Sequence, residues 1–514
     1  MPPRLLRRFW TVAGLLFRLP RRFSMMLFCG GLVFWHFALL PPKLTHAGEF
    51  RVQPSIAISE EYSDNVNQTR EKVSAFTTKV TPNIAATYTA PFWDWNLSYN
   101  LEYRHYSEDV ILDTGDTGQN DFRHTLNVRG LTRLIDNLMY LDVRNVFERT
   151  DLNVVRRSTI PQFLDAPANG IDTQDIPALN GDAPDRMEEV LVFEDIRNRE
   201  STDRNTFSIS PYFALDPTDR TSLGTGYRYT NIWYRDDNAD NSEEHHTFAR
   251  AEYRLTRAWG LNAGYSSTWK RWDDADGVDQ ENVHNVYGGT SYAYGPESRV
   301  YGDFGITWRQ RDRIDAQGRE TSTDPFVRAG FRHRLTAATS IFGEVTTPIT
   351  PTRGDTDTTD LTWNAGVRQL IGRYIATFIT TVRYIDDPLQ ETTRQETVYA
   401  LGVVRPYGRG SVSLSSSYSE FDQPKETKTA ATLALTHSLT QRLTANAGLG
   451  AERRSPEENA EIDEWRTFFG LRYLLSPTLQ ASLFYRYFDS TSEDPFSDDN
   501  FQENRVTLEL RKTF

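Results

Sequence analysis

From about residue 50 to the C-terminus, apolar and polar side chains alternate with period two. That period puts successive side chains on opposite faces of an extended strand. Phe122, His124, Leu126 and Val128 alternate with Arg123, Thr125, Asn127 and Arg129. Leu223, Thr225, Tyr227, Tyr229, Asn231 and Trp233 share one face of another run, and Leu361, Trp363, Ala365 and Val367 repeat the pattern. A helix would space its apolar residues three and four apart, and no long stretch does so. After residue 47 no 18 consecutive residues are apolar, which excludes a membrane-spanning helix there. A chain of this kind that crosses a membrane must do so as a closed barrel, because unpaired backbone is too costly in lipid.

The first 47 residues differ from the rest. They carry Arg4, Arg7, Arg8, Arg18, Arg21, Arg22 and Lys43 and no acid, then an apolar stretch from Phe23 to Leu40, then Thr45-His46-Ala47. A basic start, an apolar middle and a small-residue exit predict a secretory signal peptide over 1–47, cleaved after Ala47. Its unusual length points to Met25 or Met26 as alternative starts. The only cysteine, Cys29, lies inside it, so the exported chain is expected to hold no disulfide or thiolate metal site. Of 57 basic residues, removing 7 leaves 50 against 70 acids, a net charge of −20. That balance speaks against a general nucleic-acid partner.

The connections between strands alternate in length. Tight turns are predicted near 91–94, 135–137, 216–219, 257–260, 295–298, 336–339, 371–373, 406–410, 439–442 and 476–478. Between them lie polar loops, the longest over 149–202 with Pro161, Pro167, Pro177 and Pro184. The expected fold is all-β: a transmembrane antiparallel up-and-down barrel over 48–514, of about 22 strands (18 to 24), with short inner turns and longer outer loops. Val52, Pro54, Ile56 and Ile58 already alternate, leaving no room for an N-terminal plug and setting the chain apart from active importers. The loop over 149–202 is a candidate constriction or an outer loop. Aromatics such as Trp93, Tyr103, Tyr234, Trp269, Trp465 and Tyr487 fall near strand ends, where they form girdles at headgroup depth. In the last strand Val506, Leu508, Leu510 and the terminal Phe514 share one face, a candidate signal for the barrel-assembly machinery.

If the aromatic-rich face meets lipid, the other face lines the interior. It carries Arg104, Arg123, Arg129, Arg228, Arg250 and Arg254, then Arg328, Arg332, Arg466, Arg472 and Arg486, with fewer acids such as Glu102, Asp142, Glu252, Asp303 and Glu452. Charge in a confined wall focuses the field, which favours anionic cargo. The alternative is that these arginines pair with lumen acids and only fill space. Seven histidines follow residue 47, scattered over several strands with no nucleophile or orienting group, so no enzyme is expected and the histidines read as solvated. Asp273-Asp274-Ala275-Asp276-Gly277 and Asp236-Asp237-Asn238-Ala239-Asp240 lack the full spacing of a calcium loop, and no cofactor or metal is expected.

Residues Val52-Gln53-Pro54-Ser55-Ile56, Glu60-Glu61-Tyr62-Ser63-Asp64-Asn65-Val66 and Val80-Thr81-Pro82-Asn83-Ile84 give a succession that resembles the putative β-barrel porin 2 family. The resemblance extends to barrel proteins associated with exosortase and exopolysaccharide loci, and its motifs cover residues 51–90. It implies an integral barrel of a Gram-negative outer membrane that is a conduit for an exopolysaccharide or another anionic solute. It supplies no catalytic residues. The partners it implies are outer-membrane lipid and lipopolysaccharide, the assembly machinery, and exopolysaccharide with its periplasmic export components. A general diffusion porin and a surface anchor with a blocked lumen are the alternatives.

Overall fold

The computed structural model describes all residues except 1–47, 113–116, 137, 153–200, 237–238, 274–277, 313–318, 354–360, 389–391, 423, 458–459, 496 and 498. The expected signal peptide and nearly all of the loop over 149–202 therefore lie outside the described residues. The chain divides into a small unit, Met1–Phe50 with Tyr88–Pro91, and a large one, Arg51–Thr87 with Phe92–Phe514. In the small unit the rings of Phe50 and Tyr88 meet at 6.5 Å.

Twenty-two strands are described. They are β1 Glu49–Ser63, β2 Ala75–Ala90, β3 Trp93–Ile111, β4 Thr117–Ile135, β5 Met139–Asp151, β6 Ser201–Thr218, β7 Thr221–Tyr234 and β8 Asn241–Arg254. Next come β9 Trp259–Asp273, β10 Val278–Gly295, β11 Ser298–Asp312, β12 Arg319–Thr336, β13 Thr339–Thr346, β14 Thr362–Ile371 and β15 Tyr374–Asp387. The last are β16 Thr392–Tyr407, β17 Gly410–Phe421, β18 Glu426–Ser438, β19 Leu443–Pro456, β20 Ile462–Ser476, β21 Leu479–Ser492 and β22 Phe501–Thr513. Each strand pairs with its neighbours in sequence, and β1 pairs antiparallel with β22, from Ser55↔Thr513 to Ser63↔Arg505, which closes the sheet. The short connections fall at one end of the sheet and the long ones at the other, as expected from the turn chemistry. One of the short ones, between β14 and β15, uses Gly372 at φ 61°, a conformation a side chain would strain.

The distribution of polarity is inverted relative to a soluble protein. Glu281, Asp303, Glu396, Glu464 and Glu503 are buried, while Phe76, Phe122, Phe304, Leu449, Trp465 and Leu508 are exposed. Water is absent on the lipid side, so apolar residues belong outside and polar ones inside. The last strand follows this rule. Val506, Leu508, Leu510 and Phe514 point outward and are exposed. On the opposite face Arg505 meets Glu503 at 2.6 Å and Thr507 donates to Glu61 at 3.1 Å. Lys512, outward near the strand end, donates to the Thr478 hydroxyl at 2.6 Å. Close cross-strand packing explains several inward glycines. A Cβ at Gly330 would sit 2.4 Å from the Tyr301 ring.

The seam between β1 and β22 is stitched from both sides. Ser63 donates to Glu503 at 2.6 Å and Gln68 to the same carboxylate at 3.0 Å. Asp64, just past β1, accepts from the Asn504 backbone N–H at 2.7 Å and from its side-chain amide at 2.9 Å, and its own N–H reaches the Asn504 carbonyl at 3.1 Å. Burial alone would raise the Asp64 carboxyl; the two Asn504 donors, with Lys72 nearby, outweigh it and hold Asp64 below the usual carboxylate range.

Two predictions follow from this geometry. Leu508→Arg places a charge on the lipid face and is expected to destabilise the barrel by about 2–4 kcal/mol, read as a lowered denaturant midpoint after folding into vesicles. A midpoint equal to that of the parent protein would refute the outward placement of Leu508. Because its pKa is depressed on folding, Asp64 contributes stability above the ordinary aspartate pKa and loses it as pH falls through its own lowered value. The protection of the Asn504 amide against exchange, taken relative to its intrinsic rate at each pH, should therefore fall below about pH 4 in the parent protein. In Asp64→Asn it should already be low at neutral pH and show no such step.

Candidate functional site

The most constrained part of the interior lies at the long-loop end, where the chain after β13 turns inward. The sequence there is Thr346-Thr347-Pro348-Ile349-Thr350-Pro351-Thr352-Arg353. Proline has no N–H to give to a ladder and biases the residue before it to an extended form. Two prolines three apart thus end β13 after eight residues and free 347–353 from the sheet. The released carbonyls are taken up from the inner wall. Arg309 on β11 donates to Pro348 O at 2.5 Å and to Thr350 O at 3.2 Å. Arg311 reaches the Thr352 hydroxyl at 2.7 Å. Glu281 on β10, 1% exposed, accepts the Thr352 N–H at 2.6 Å and pairs with both Arg309 and Arg311 at 3.2 and 3.3 Å.

Beyond Thr352 the segment crosses to other strands. Arg353, 4% exposed, pairs with Asp240 from the connection between β7 and β8, and with Asp279 on β10 at 3.2 Å. Its backbone N–H donates to the Thr393 hydroxyl at 2.8 Å, and its carbonyl accepts the Thr393 N–H at 3.1 Å, at the start of β16. Thr393 donates in turn to Asp386 on β15 at 2.8 Å. Asp386 pairs directly with Lys270 on β9 and accepts from Trp272 Nε1 at 3.4 Å, with Lys270 lying 5.0 Å from the Trp272 ring. The Asp240 N–H also donates to Pro388 O at 3.2 Å.

These contacts bridge distant parts of the wall. β9 and β15 are six steps apart in the 22-strand ring. At the usual strand spacing and tilt, a circular ring would hold them about 30 Å apart. A lysine and an aspartate together reach roughly a third of that. The two sides of the barrel are therefore drawn together at the long-loop end, and Lys270, Arg353 and Asp386 with their partners form a clasp across the interior.

The arginines anticipated from the sequence are distributed along the wall, mostly with acids. Arg104 pairs with Glu102, Arg123 with Asp121 at 3.3 Å, Arg228 with Glu244 at 3.7 Å and Arg250 with Glu252 at 2.5 Å. Arg328 meets Asp303 at 2.5 Å, and Arg466 meets Glu464 and, at 3.8 Å, Glu452. Arg254 donates to the Asp219 carbonyl. Arg129 stands opposite Arg144 in the register, Arg332 opposite Arg299, Arg472 opposite Thr444, and Arg486 opposite Arg505. One recess gathers several of them: it is lined by Arg250, Arg299, Arg328, Glu252, Asn262, Ser291 and Tyr301. Arg254 and Arg332 stand beside it with acids of their own, Asp216 and Asp219 near Arg254 and Glu297 near Arg332, and Tyr301 bonds Glu344. The rings of Tyr287 and Tyr301 lie 5.6 and 5.9 Å from the Arg328 guanidinium.

The histidines are not simply solvated. Five lie on the outward face, each within hydrogen-bond reach of a tyrosine hydroxyl: His124 with Tyr99 at 2.8 Å, His245 with Tyr227 at 2.6 Å, and His284, His333 and His437 with Tyr265, Tyr294 and Tyr407, each at 3.0 Å. An imidazole facing lipid needs such a partner for its ring nitrogen. His246 is buried beside Thr268 at 2.8 Å. Among the described residues no three His, Cys, Asp or Glu stand together as metal ligands, and parts of both acidic runs singled out for calcium lie outside the described residues.

A closed barrel with an apolar exterior and a charged interior defines an integral outer-membrane β-barrel protein. Residues 207–368 match the family model described as outer membrane protein beta-barrel domain. Residues 412–514 match that of putative beta-barrel porin 2, the family resembled by residues 51–90, here found at the opposite end of the chain. No curated protein matches in sequence. Solved structures match in fold. The ferric-catecholate import receptor Fiu of E. coli K12, in its open form, is 11% identical, with a TM-score of 0.52 over 91% of this chain and 82% of that one. The FrpB iron transporter of Neisseria meningitidis (F3-3 variant) is 11% identical, with a TM-score of 0.53 over 90% and 81%.

These likenesses correct the expected fold class. A barrel without an N-terminal plug, standing apart from importers, was expected, yet the solved barrels of like fold are an import receptor and an iron transporter. The physical reason lies in the strand count. Twenty-two strands enclose a lumen too wide for side chains to fill, and outer-membrane transporters of that size are plugged. The count therefore points to a likeness in fold with barrels of that size, although the described strands of this chain begin at Glu49 and no plug is seen among the described residues.

Glu281→Ala removes the acceptor shared by Arg309, Arg311 and the Thr352 N–H. The loss of a buried partner of this kind costs about 3–5 kcal/mol, so amide exchange at Thr352 should rise roughly hundredfold or more. Unchanged exchange would show that the segment is held by something other than Glu281.

Proposed function

We propose that this chain is a conduit through the outer membrane for hydrophilic, anionic solutes. The observation that carries the reading is the basic recess of Arg250, Arg299 and Arg328 on the inner wall, where arginines outnumber acids. In a confined wall such an excess raises the local concentration of anions and lowers that of cations. Tyr301, Asn262 and Ser291 add a ring face and neutral hydrogen-bonding groups that suit a hydroxyl-rich solute. The narrower task, release of an acidic exopolysaccharide delivered from the periplasm, is supported by the family resemblance of residues 51–90 and the family match at 412–514. Its partners would then be the polymer and its periplasmic export components. A second reading, uptake, is favoured by the receptor-like barrel. Loss of released polysaccharide in a deletion strain, against loss of solute entry, separates the two. No catalytic role is part of either reading.

The test is the reversal potential of the purified protein in a planar bilayer under a salt gradient. Anion preference is expected, and the combined variant Arg250→Gln, Arg299→Gln, Arg328→Gln should reduce it by about half or more. Cation preference in the parent protein would overturn the anion reading.

A further inference from the structure

We propose that the clasp of Lys270, Arg353 and Asp386 is a gate that holds the outer aperture of the barrel narrow and sets the largest solute that passes. The proposal rests on the conduit reading for its consequence, but its geometry stands alone. Three features carry it.

First, the contacts are long-range in the ring. Lys270 to Asp386 spans six strands, and the backbone bond from Asp240 to Pro388 spans eight, close to the greatest separation that 22 strands permit. Neighbouring strands in a barrel are held by the ladder whatever their side chains do. Contacts across the ring have no such support, so side chains, the 347–353 segment and the backbone bond of Asp240 to Pro388 carry the closing force.

Second, the clasp is made of charge pairs, not of packed apolar surface. Lys270 and Arg353 are buried, and they pair with the half-buried Asp386 and Asp279 and with the buried Asp240. Such pairs gain little net free energy over hydration, because the desolvation cost nearly equals the attraction. A joint of this kind can open without exposing hydrophobic surface, as each charged group is well solvated once separated. That is the energetic profile of a reversible closure rather than of a structural core.

Third, the segment that completes the clasp is held to its own wall over most of its described length and to the far wall at Arg353. Residues 347–352 are pinned to β10 and β11 through Glu281, Arg309 and Arg311. Arg353 alone carries the side-chain link from this segment to the far wall, through Asp240, while its backbone meets Thr393. Opening needs the pairs of Arg353 and Lys270 to part, together with the backbone bonds of Arg353 to Thr393 and of Asp240 to Pro388, and leaves residues 347–352 on their own wall.

The experiment uses the full chain with Cys29→Ser, so that introduced thiols are the only ones. Spin labels at Arg271→Cys on β9 and Gln395→Cys on β16 report the separation of the two walls, and bilayer recording reports flow. In the parent protein the labels should be close. In Arg353→Gln combined with Lys270→Met, they should move apart by about 10 Å or more, and unitary conductance should rise about twofold or more. A second protein, Lys270→Cys with Asp386→Cys, should lose that conductance on oxidation and regain it on reduction. Retention of heat-modifiable migration confirms that each variant is folded. Labels that stay close in the folded double variant would overturn the gate. Labels that part while no variant conducts would uphold the clasp and sink the conduit reading instead.

Discussion

Backbone amides have nothing to bond in hydrocarbon except one another, and this single constraint organises the molecule. An open sheet would leave two edges unpaired, so β1 must meet β22. Closure then divides every strand into a lipid side and a lumen side, and period-two alternation follows as its sequence image. The exposed Phe304 and Leu508, and the buried Glu281 and Glu503, are the two sides of that partition. Even the exceptions obey it. Five histidines that face outward do so beside a tyrosine hydroxyl, which occupies a ring nitrogen without a water molecule.

The interior has the reverse problem: charged side chains must be kept from desolvation without partners. Along the wall this is solved locally, two residues apart or across one strand, as in Arg505 with Glu503 and Arg328 with Asp303. Local pairing fixes rotamers and shapes the wall but does not narrow the lumen. At the long-loop end the pairing turns from local to transverse, and there, among the described residues, charges pull one side of the barrel toward the other.

Much of this was legible in the sequence, for reasons that lie in the range of the interactions. Alternation is local, so the outward placement of Val506, Leu508 and Leu510 and the inward placement of Arg104 and Arg466 could be read directly. Turn chemistry is local too, and the short connections fall where Leu-Thr and Gly-rich stretches put them. The clasp was not legible. Lys270 was one more charged residue on an inward face, and its partner Asp386 lies 116 positions away. Arg353 sat in what reads as a polar loop, and only Pro348 and Pro351 marked where β13 would release the chain. The longer loop over 149–202 stands out instead, because length is visible in a sequence and a transverse contact is not. The likeness in fold to import receptors was not legible for a related reason: the position of the first strand is plain in a sequence, and the width of the closed ring is not.

The seam between β1 and β22 also sets an order of events. Glu61 and Ser63 find their partners Thr507 and Glu503 more than 400 residues later. A chain made from its N-terminus therefore holds one edge of its first strand, the edge away from β2, unpaired until the last strand is made. Vectorial folding, in which early segments settle while later ones emerge, is closed to it. The barrel becomes a barrel only when β22 arrives, so the risk of aggregation is borne by the first strand and the power to end that risk belongs to the last.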